Sequence, residues 1–585
     1  MPDEKNKPTW LDRRAERLSR EDADASAARR EARMAAVAAA KEARLKEIRP
    51  RGLDPAKALP PAPGGFAPKP TWYAATRLMV SQEALLTESN LLADIVLIAG
   101  ELGIVVDTDD ADRLAAIEPL EEDAPPEYRT HFAVLRLAPD DSAPEAPDAW
   151  VLLQRVRRHR GSRVGGLGLD HLLMIGDVTA NPFTSGHPFT SGHPFTSGHP
   201  FTSGHPFTSG HPFTSGHPFT SGHPWTEGSG GAVDSYGYPG SGGRQPIAYV
   251  GPEPRRISED ALGGGRRPVV ALLDTGCGTH PWLDDVVQKG IQLDGEDIGY
   301  GKASKTNPLE PDVIPDQAGM LDGDLDTFSG HGTFMAGLVH QACPDADILA
   351  WRITPSAGPI TESDLLTALG KIAELVNRYR KNQEGGRAID ILALSLGYYH
   401  ETAEDIAFDA SLHKPLADLS ALGVTVVVSA GNDSTLRPCF PAAFSPWISG
   451  NGPYKVDGSV VPVVSVGALN PNGSDALFSN AGDWVRAFAP GAAVMSTVPT
   501  NFEGGYEPVA RINLDGRIRE SIDPDDYRSG FGLWSGTSFA APLWAGLMAQ
   551  WMGPVPKTAD DSKSAVARAW PLITQGSDQK KKLEP

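Results

Sequence analysis

From residue 265 to 555 the chain alternates short apolar runs with segments of helical spacing. PVVALLD, ADILAWRI, IDILALSLG, VTVVVSAGN and VVPVVSVGA are apolar almost without interruption and predict strands, whereas TESDLLTALGKIAELVNRYR and residues 411–422 carry apolar positions at helical intervals. A strand that is apolar on both faces must be covered on both. The pattern therefore predicts an α/β fold, a doubly wound and mostly parallel sheet between two layers of helices. Open sheets of this type collect reactive groups at the carboxyl ends of their strands.

Ahead of it, residues 72–177 show a different rhythm. Strand patterns at 74–80, 128–137 and 169–175, helical patterns at 89–102 and 149–159, and an extended stretch at 104–117 predict a smaller α+β domain of βαββαβ, ferredoxin-like order. Residues 1–49, rich in Ala, Arg and Glu, predict a charged helical extension, read either as a docking arm for a protein partner or as a frayed polar extension. Residues 50–71 are expected to form a Pro and Gly linker. Residues 178–264 contain seven identical PFTSGH units at 182–223 and a Gly-rich continuation. Pro and Gly in every unit exclude a regular helix, and one Phe in six buries too little to offset chain entropy, so a disordered tether is expected. Histidines six apart on an extended chain lie roughly 19 Å from each other, too far for neighbours to share a metal ion unless the chain folds back, so a plain linker is expected, with a weak metal-binding or low-pH-charging role as the alternative. Residues 556–585 are expected to be a polar tail.

Composition narrows the functional classes. The 585 residues are 40% hydrophobic and 22% charged, ordinary for a globular protein, while 62 Gly and 51 Pro exceed the usual share and point to extended stretches. The balance of 53 Lys and Arg against 74 Asp and Glu leaves a net charge of −21, which disfavours nucleic acid as a partner. Three cysteines without CxxC spacing suggest neither a disulfide framework nor a zinc site, and a reducing compartment fits them. With neither a secretory signal nor a membrane span legible, a cytoplasmic location is expected, secretion by another route staying open.

Four polar residues at strand ends or in Gly-rich surroundings carry the chemistry. Asp274 closes PVVALLD, His331 lies in SGHGTFMAG, Asn432 closes VVVSAGN and Ser538 lies in SGTSFAAP. Each alone reads as a helix cap or a structural residue. Together, the order Asp, His, Ser separates them from the chymotrypsin and α/β-hydrolase arrangements, and Ser538 lacks a GxSxG elbow. Over residues 266–552 the chain resembles the subtilisin-like serine peptidases, through ALLDTGCGTHPWL, GHGTFMAG, ALSLG, SAGN, LFSNAGDWVRAFAPG and SGTSFAAPLWAG.

That resemblance implies a serine endopeptidase acting on a polypeptide substrate. Ser538 would be the nucleophile, His331 the base, Asp274 its orienting carboxylate and Asn432 the oxyanion donor. Ser395, Leu396 and Gly397 would pair with an extended substrate, and Ala430 and Gly431 would wall the main specificity pocket. The family also suggests that residues 72–177 act as an intramolecular inhibitory or folding domain, a recognition module being the competing view. No cofactor is required. Asp322, Asp324 and Asp326 in LDGDLDTFSG offer oxygen ligands for a structural calcium ion, against the alternative of a solvated acidic turn. Cys277 is expected to pack as a small apolar residue. From another functional class, a catalytically silent peptide-binding scaffold on the same fold is the alternative.

Overall fold

The computed structural model describes residue 39 and residues 42–62, 65–117, 131–141, 146–161, 164–175 and 244–584, the last range apart from 302–309, 317–324, 355–358, 403–410, 506–507, 509, 559–560 and 579–582. The PFTSGH units lie outside the described residues.

The N-terminal portion begins with helix α1 (42–48) and strand β1 (Pro50–Leu53), followed by β2 (Thr71–Ser81), α2 (Gln82–Thr87) and α3 (Leu91–Glu101). Then come β3 (Ile104–Asp107), α4 (Asp109–Ala116), β4 (Phe132–Pro139), α5 (Ala149–Arg160) and β5 (Leu167–Ile175). Strands β5, β2, β4 and β3 lie side by side in that order with antiparallel neighbours. One side of this sheet packs Leu78, Val80, Leu135 and Leu169 on Ile95, Ile98, Leu152 and Val156 of α3 and α5. The expected extended run at 104–117 is instead a short strand and an acidic helix, because Asp109, Asp110 and Asp112 load its first turn, where the helix dipole favours negative charge. The expected linker at 50–71 also differs, since β1 adds to β2 with Pro50 opposite Ala74 and Leu53 opposite Thr71.

In the larger domain the first strands are β6 (Gln245–Pro246), β7 (Val269–Asp274) and β8 (Val287–Lys289), with a hairpin of β9 (Gln292–Leu293) and β10 (Glu296–Asp297). Next are α6 (His331–Ala342), β11 (Asp347–Arg352), β12 (Ile360–Thr361), α7 (Glu362–Arg380), β13 (Ile391–Leu394), β14 (Leu396–Gly397) and α8 (His413–Ala421). The chain continues through β15 (Thr425–Ser429), β16 (Val464–Leu469), β17 (Ala487–Pro490), β18 (Val494–Thr497), an exposed hairpin of β19 (Arg511–Leu514) and β20 (Arg517–Glu520), and β21 (Phe531–Trp534). It closes with α9 (Thr537–Met552) and α10 (Ser562–Gly576).

Seven strands form a wholly parallel sheet in the order β17-β16-β15-β13-β7-β11-β8. Alternate residues of each strand serve opposite cores. Val270 and Leu272 join Met335, Val339, Ala540 and Trp544 of α6 and α9, whereas Ala271 and Leu273 join Leu365, Leu369 and Ile372 of α7. The uninterrupted apolar runs of the sequence thus answer a sheet buried on both sides. Growth of the sheet reverses at β7, which has β11 on one side and β13 on the other, and Asp274 ends this central strand.

Two expected boundaries move. Residues 244–264, read as tether, attach to the domain. Gln245 and Pro246 pair with Leu533 and Gly532, and the Arg244 guanidinium stacks 4.6 Å from the Trp534 ring. The expected polar tail contains α10, which buries Val566, Trp570 and Ile573 in the same core as α9 and bonds Trp544 Nε1 to the Gly576 carbonyl at 2.9 Å.

The two portions also share structure. Met79, Phe132, Leu173 and Ile175 belong to the hydrophobic cluster of the α7 side. The last four residues of β5 add antiparallel to short edge strands, Leu172 and Leu173 opposite Thr361 and Ile360 of β12, Met174 and Ile175 opposite Gly397 and Leu396 of β14.

Candidate active site

The carboxyl ends of β7 and β15 and the first turns of α6 and α9 carry the sequence-selected residues. His331 is the first residue of α6, whose N-cap is Gly330, and its Nδ1 lies 2.7 Å from Asp274 Oδ1 with both residues buried. The same carboxylate oxygen accepts the Thr275 N–H at 2.8 Å, which fixes its orientation. Close approach of α6 to the strand end requires a residue without a side chain. A Cβ on Gly332 would sit 2.1 Å from the Gly276 carbonyl, and the Gly332 N–H instead reaches Thr275 Oγ1 at 2.7 Å.

Ser538 is the second residue of α9 and is buried. The His331 ring lies 5.2 Å from the ring of the next residue, Phe539, and stands edge-on to Trp534 at 5.7 Å. Pro542 occupies the helix position that would ordinarily donate to the Ser538 carbonyl, and proline has no N–H. Ser395 Oγ supplies the missing donor at 2.9 Å. Ser395 thus holds the backbone that carries Ser538.

Asn432 is anchored by Thr537, whose N–H and hydroxyl both donate to Asn432 Oδ1, at 2.9 and 2.8 Å. The Thr537 hydroxyl also accepts the Gly431 N–H at 3.1 Å. Gly431 has φ of 97° and a Cβ there would meet Asn480 Nδ2 at 2.4 Å, so glycine is required on both counts. Asn480 Nδ2 in turn donates to the Ala430 carbonyl at 3.0 Å. Leu396 and Gly397 form the short strand β14 beside β5.

Several members of this arrangement carry no sequence signal of their own. Asp312, buried, accepts the Thr333 N–H at 2.8 Å, and burial raises its carboxyl above the usual range. The Thr333 hydroxyl accepts the Gly278 N–H at 2.7 Å, so Asp312 braces the loop that follows Asp274. Cys277 packs in the core beside Trp282 and Met335, and burial pushes its thiol up to about 12. Asp322 and Asp324 lie outside the described residues. Asp326 uses its backbone, donating to Pro315 and accepting from Arg244.

A second polar cluster joins β5 to the larger domain. His171 Nδ1 lies 2.7 Å from Glu362 Oε2 and its Nε2 lies 2.6 Å from Glu401 Oε2. Beside it, Asp170 Oδ1 accepts the Ser363 N–H at 3.0 Å in the first turn of α7, and its Oδ2 accepts the Ser363 hydroxyl at 2.7 Å. Burial alone would lower the His171 pKa, but Glu401 and Glu362 more than offset it and raise it to about 10. Among the described residues His171, His400 and Glu401 also offer ligand atoms within 4.8 Å of one another.

Comparison with known proteins gives the family. The model of the subtilase family matches residues 265–575, more than half of the chain. An intracellular serine protease of Paenibacillus polymyxa is 25% identical over 300 residues, 49% of this chain and 66% of its own. The major intracellular serine protease of Bacillus subtilis is 26% identical over 248 residues, covering 41% and 63%. A cold adapted subtilisin-like serine proteinase of solved structure shares 18% identity over 55% of this chain and 85% of its own, with a TM-score of 0.32. The chain spans between half and two thirds of the length of the first curated relatives it matches. No helix among the described residues is long and apolar enough to cross a membrane. With the motifs in order, a doubly wound parallel sheet and a family match over its larger domain, this chain belongs to the subtilase family of serine proteases.

Proposed function

We propose that the protein is a serine endopeptidase in which Ser538, His331 and Asp274 form the catalytic triad and Asn432 the oxyanion donor. The observation that carries this reading is the buried His331–Asp274 hydrogen bond, with the histidine ring packed on Phe539 beside Ser538. The Ser538 hydroxyl attacks the peptide carbonyl carbon while the imidazole accepts its proton, a transfer without which a serine is a weak nucleophile at neutral pH. Negative charge on the former carbonyl oxygen is met by Asn432 Nδ2 and the Ser538 N–H, at the positive end of α9. Collapse expels the amine, which takes the proton from His331. Water then repeats the sequence on the acyl-enzyme and releases the acid. A side-chain donor of the Asn432 kind, measured in subtilisin itself, is worth about 10²–10³ in kcat.

Autoinhibition is the second part of the proposal. Leu396 and Gly397, through which an extended substrate would add as a strand, already pair with Ile175 and Met174 of β5. The N-terminal domain would thus fill the groove as a substrate does, and cleavage within 176–243 would free it. Three unpaired cysteines, together with relatives named as intracellular proteases, favour a cytoplasmic setting.

A fluorophosphonate probe applied to the full chain tests the reading. Labelling is expected in the wild-type protein, slow while β5 is docked, and absent in Ser538→Ala and His331→Ala. Failure to label after cleavage within 176–243 would favour the peptide-binding scaffold.

A further inference from the structure

Resting on the reading of β5 as a substrate-like strand, we infer that Glu362, Glu401 and Tyr398 form a subsite for a planar cationic side chain of the substrate, arginine or histidine, which His171 fills in the uncleaved chain. Both carboxylates come from the larger domain. Glu362 opens α7 directly after β12, and Glu401 follows β14 by four residues, so the elements that pair with the strand also frame the pocket. The two are almost wholly buried, at 1% and 0% relative exposure. Two carboxylates buried together are unfavourable without a compensating cation. The cation here is supplied by another domain, through a residue 191 positions from Glu362 and 230 from Glu401.

The occupant specifies what the pocket takes. Each His171 ring nitrogen is at hydrogen-bonding distance from a different carboxylate, 2.7 and 2.6 Å, an arrangement satisfied when both carry hydrogen. The ring lies on Tyr398 with centroids 4.5 Å apart and an interplanar angle of 23°. A guanidinium is likewise flat, charged and able to donate at both ends, and it stacks on aromatic rings as an ammonium does not. Along an extended strand, at about 3.3 Å per residue, the pocket lies roughly 13 Å before the position opposite Leu396. A peptide in the same register would enter it with the residue four places N-terminal to that position.

The same cluster read as a metal site is less favoured, because both ring nitrogens of His171 are already engaged, Nδ1 by Glu362 at 2.7 Å and Nε2 by Glu401 at 2.6 Å.

The test uses the full chain carrying His171→Ala and peptides of the sequence LGLDXLLMI, in which X is Arg, His, Leu or Glu. The concentration of each peptide that halves the rate of Ser538 labelling by a fluorophosphonate is measured. Arg and His peptides are expected to protect at concentrations at least tenfold below those of the Leu and Glu peptides. Glu362→Gln with Glu401→Gln is expected to abolish that preference. Equal protection by all four peptides overturns the subsite while leaving β5 as a substrate-like strand. Absence of protection by any peptide, with wild type and His171→Ala labelled equally fast, overturns the groove reading and the subsite with it, as does absence of labelling in every form. Should the alanine variant not fold, single replacements in the uncleaved chain decide. His171→Arg should keep the slow wild-type labelling and His171→Leu should accelerate it at least tenfold, and equal acceleration by both overturns the subsite.

Discussion

Ser538 is held by a compensation between two residues far apart in the chain. Pro542 deprives the Ser538 carbonyl of its helical donor, and Ser395, 143 positions away, replaces it through its hydroxyl. Ser395→Ala would leave that buried carbonyl without this bond, at a cost of about 1–3 kcal/mol. Urea unfolding in the Ser538→Ala background, chosen to exclude the proposed self-cleavage, should show the corresponding fall in midpoint. Peptidase activity of Ser395→Ala in the wild-type background should fall as well, since the same bond fixes the backbone of Ser538, the proposed nucleophile. The motif residues Asp274, His331, Asn432 and Ser538 are legible in sequence because each stands beside glycine or small residues at a strand end or helix start. Asp312 and the Glu362 and Glu401 pair are not. A buried carboxylate is distinguished from a solvated one only by what packs around it, and the partners of these three come from distant segments.

At the scale of elements, β5 and the first turn of α7 are the joint between the two domains. His171 meets Glu362, Glu401, His400 and Tyr398 there, while Tyr73 lies opposite it on β2, and Asp170 meets Ser363 and Arg77. The His171 pKa is raised to about 10, so its contribution to docking is complete below its ordinary value near 6.5 and is lost as pH rises through about 10. Burial raises Asp170 to about 6 against the opposing effect of Arg77, and this acid likewise favours docking at lower pH and loses that contribution as pH rises through about 6. Both signs agree. Labelling of Ser538 in the uncleaved chain, corrected for the intrinsic pH dependence of the probe, should accelerate between pH 8 and about 10. His171→Arg, which keeps its charge throughout, should flatten that rise. The strand pattern of β5 is readable from sequence, but its pairing with β12 and β14 is not. Both partners are two residues long, too short for any periodicity to announce them.

Among the described residues, the three largest hydrophobic clusters lie one within the N-terminal domain and one on each face of the parallel sheet. The cluster of the α6 and α9 side extends into α10, through Val566, Ala569, Trp570 and Ile573, and reaches Leu583. Burial of side chains of this size is worth about 1.5–3 kcal/mol each before the cost of ordering the segment. Truncation after residue 555 in the Ser538→Ala background should therefore lower the thermal midpoint by several degrees, whereas a disposable tail would leave it unchanged.

The sequence by itself determined the parallel α/β core, the α+β composition of the smaller domain and the four side chains proposed to carry the chemistry. Those features rest on local periodicity and on residue types adjacent in the chain. Only the tertiary structure decided that residues 244–264 and 562–576 are parts of the larger domain, that β5 lies against β14, and that a histidine sits between two buried glutamates. Each depends on surfaces brought together from segments as far apart in the chain as Gln245 and Leu533. Burial free energy and ion pairing act on that proximity, and no local pattern encodes it.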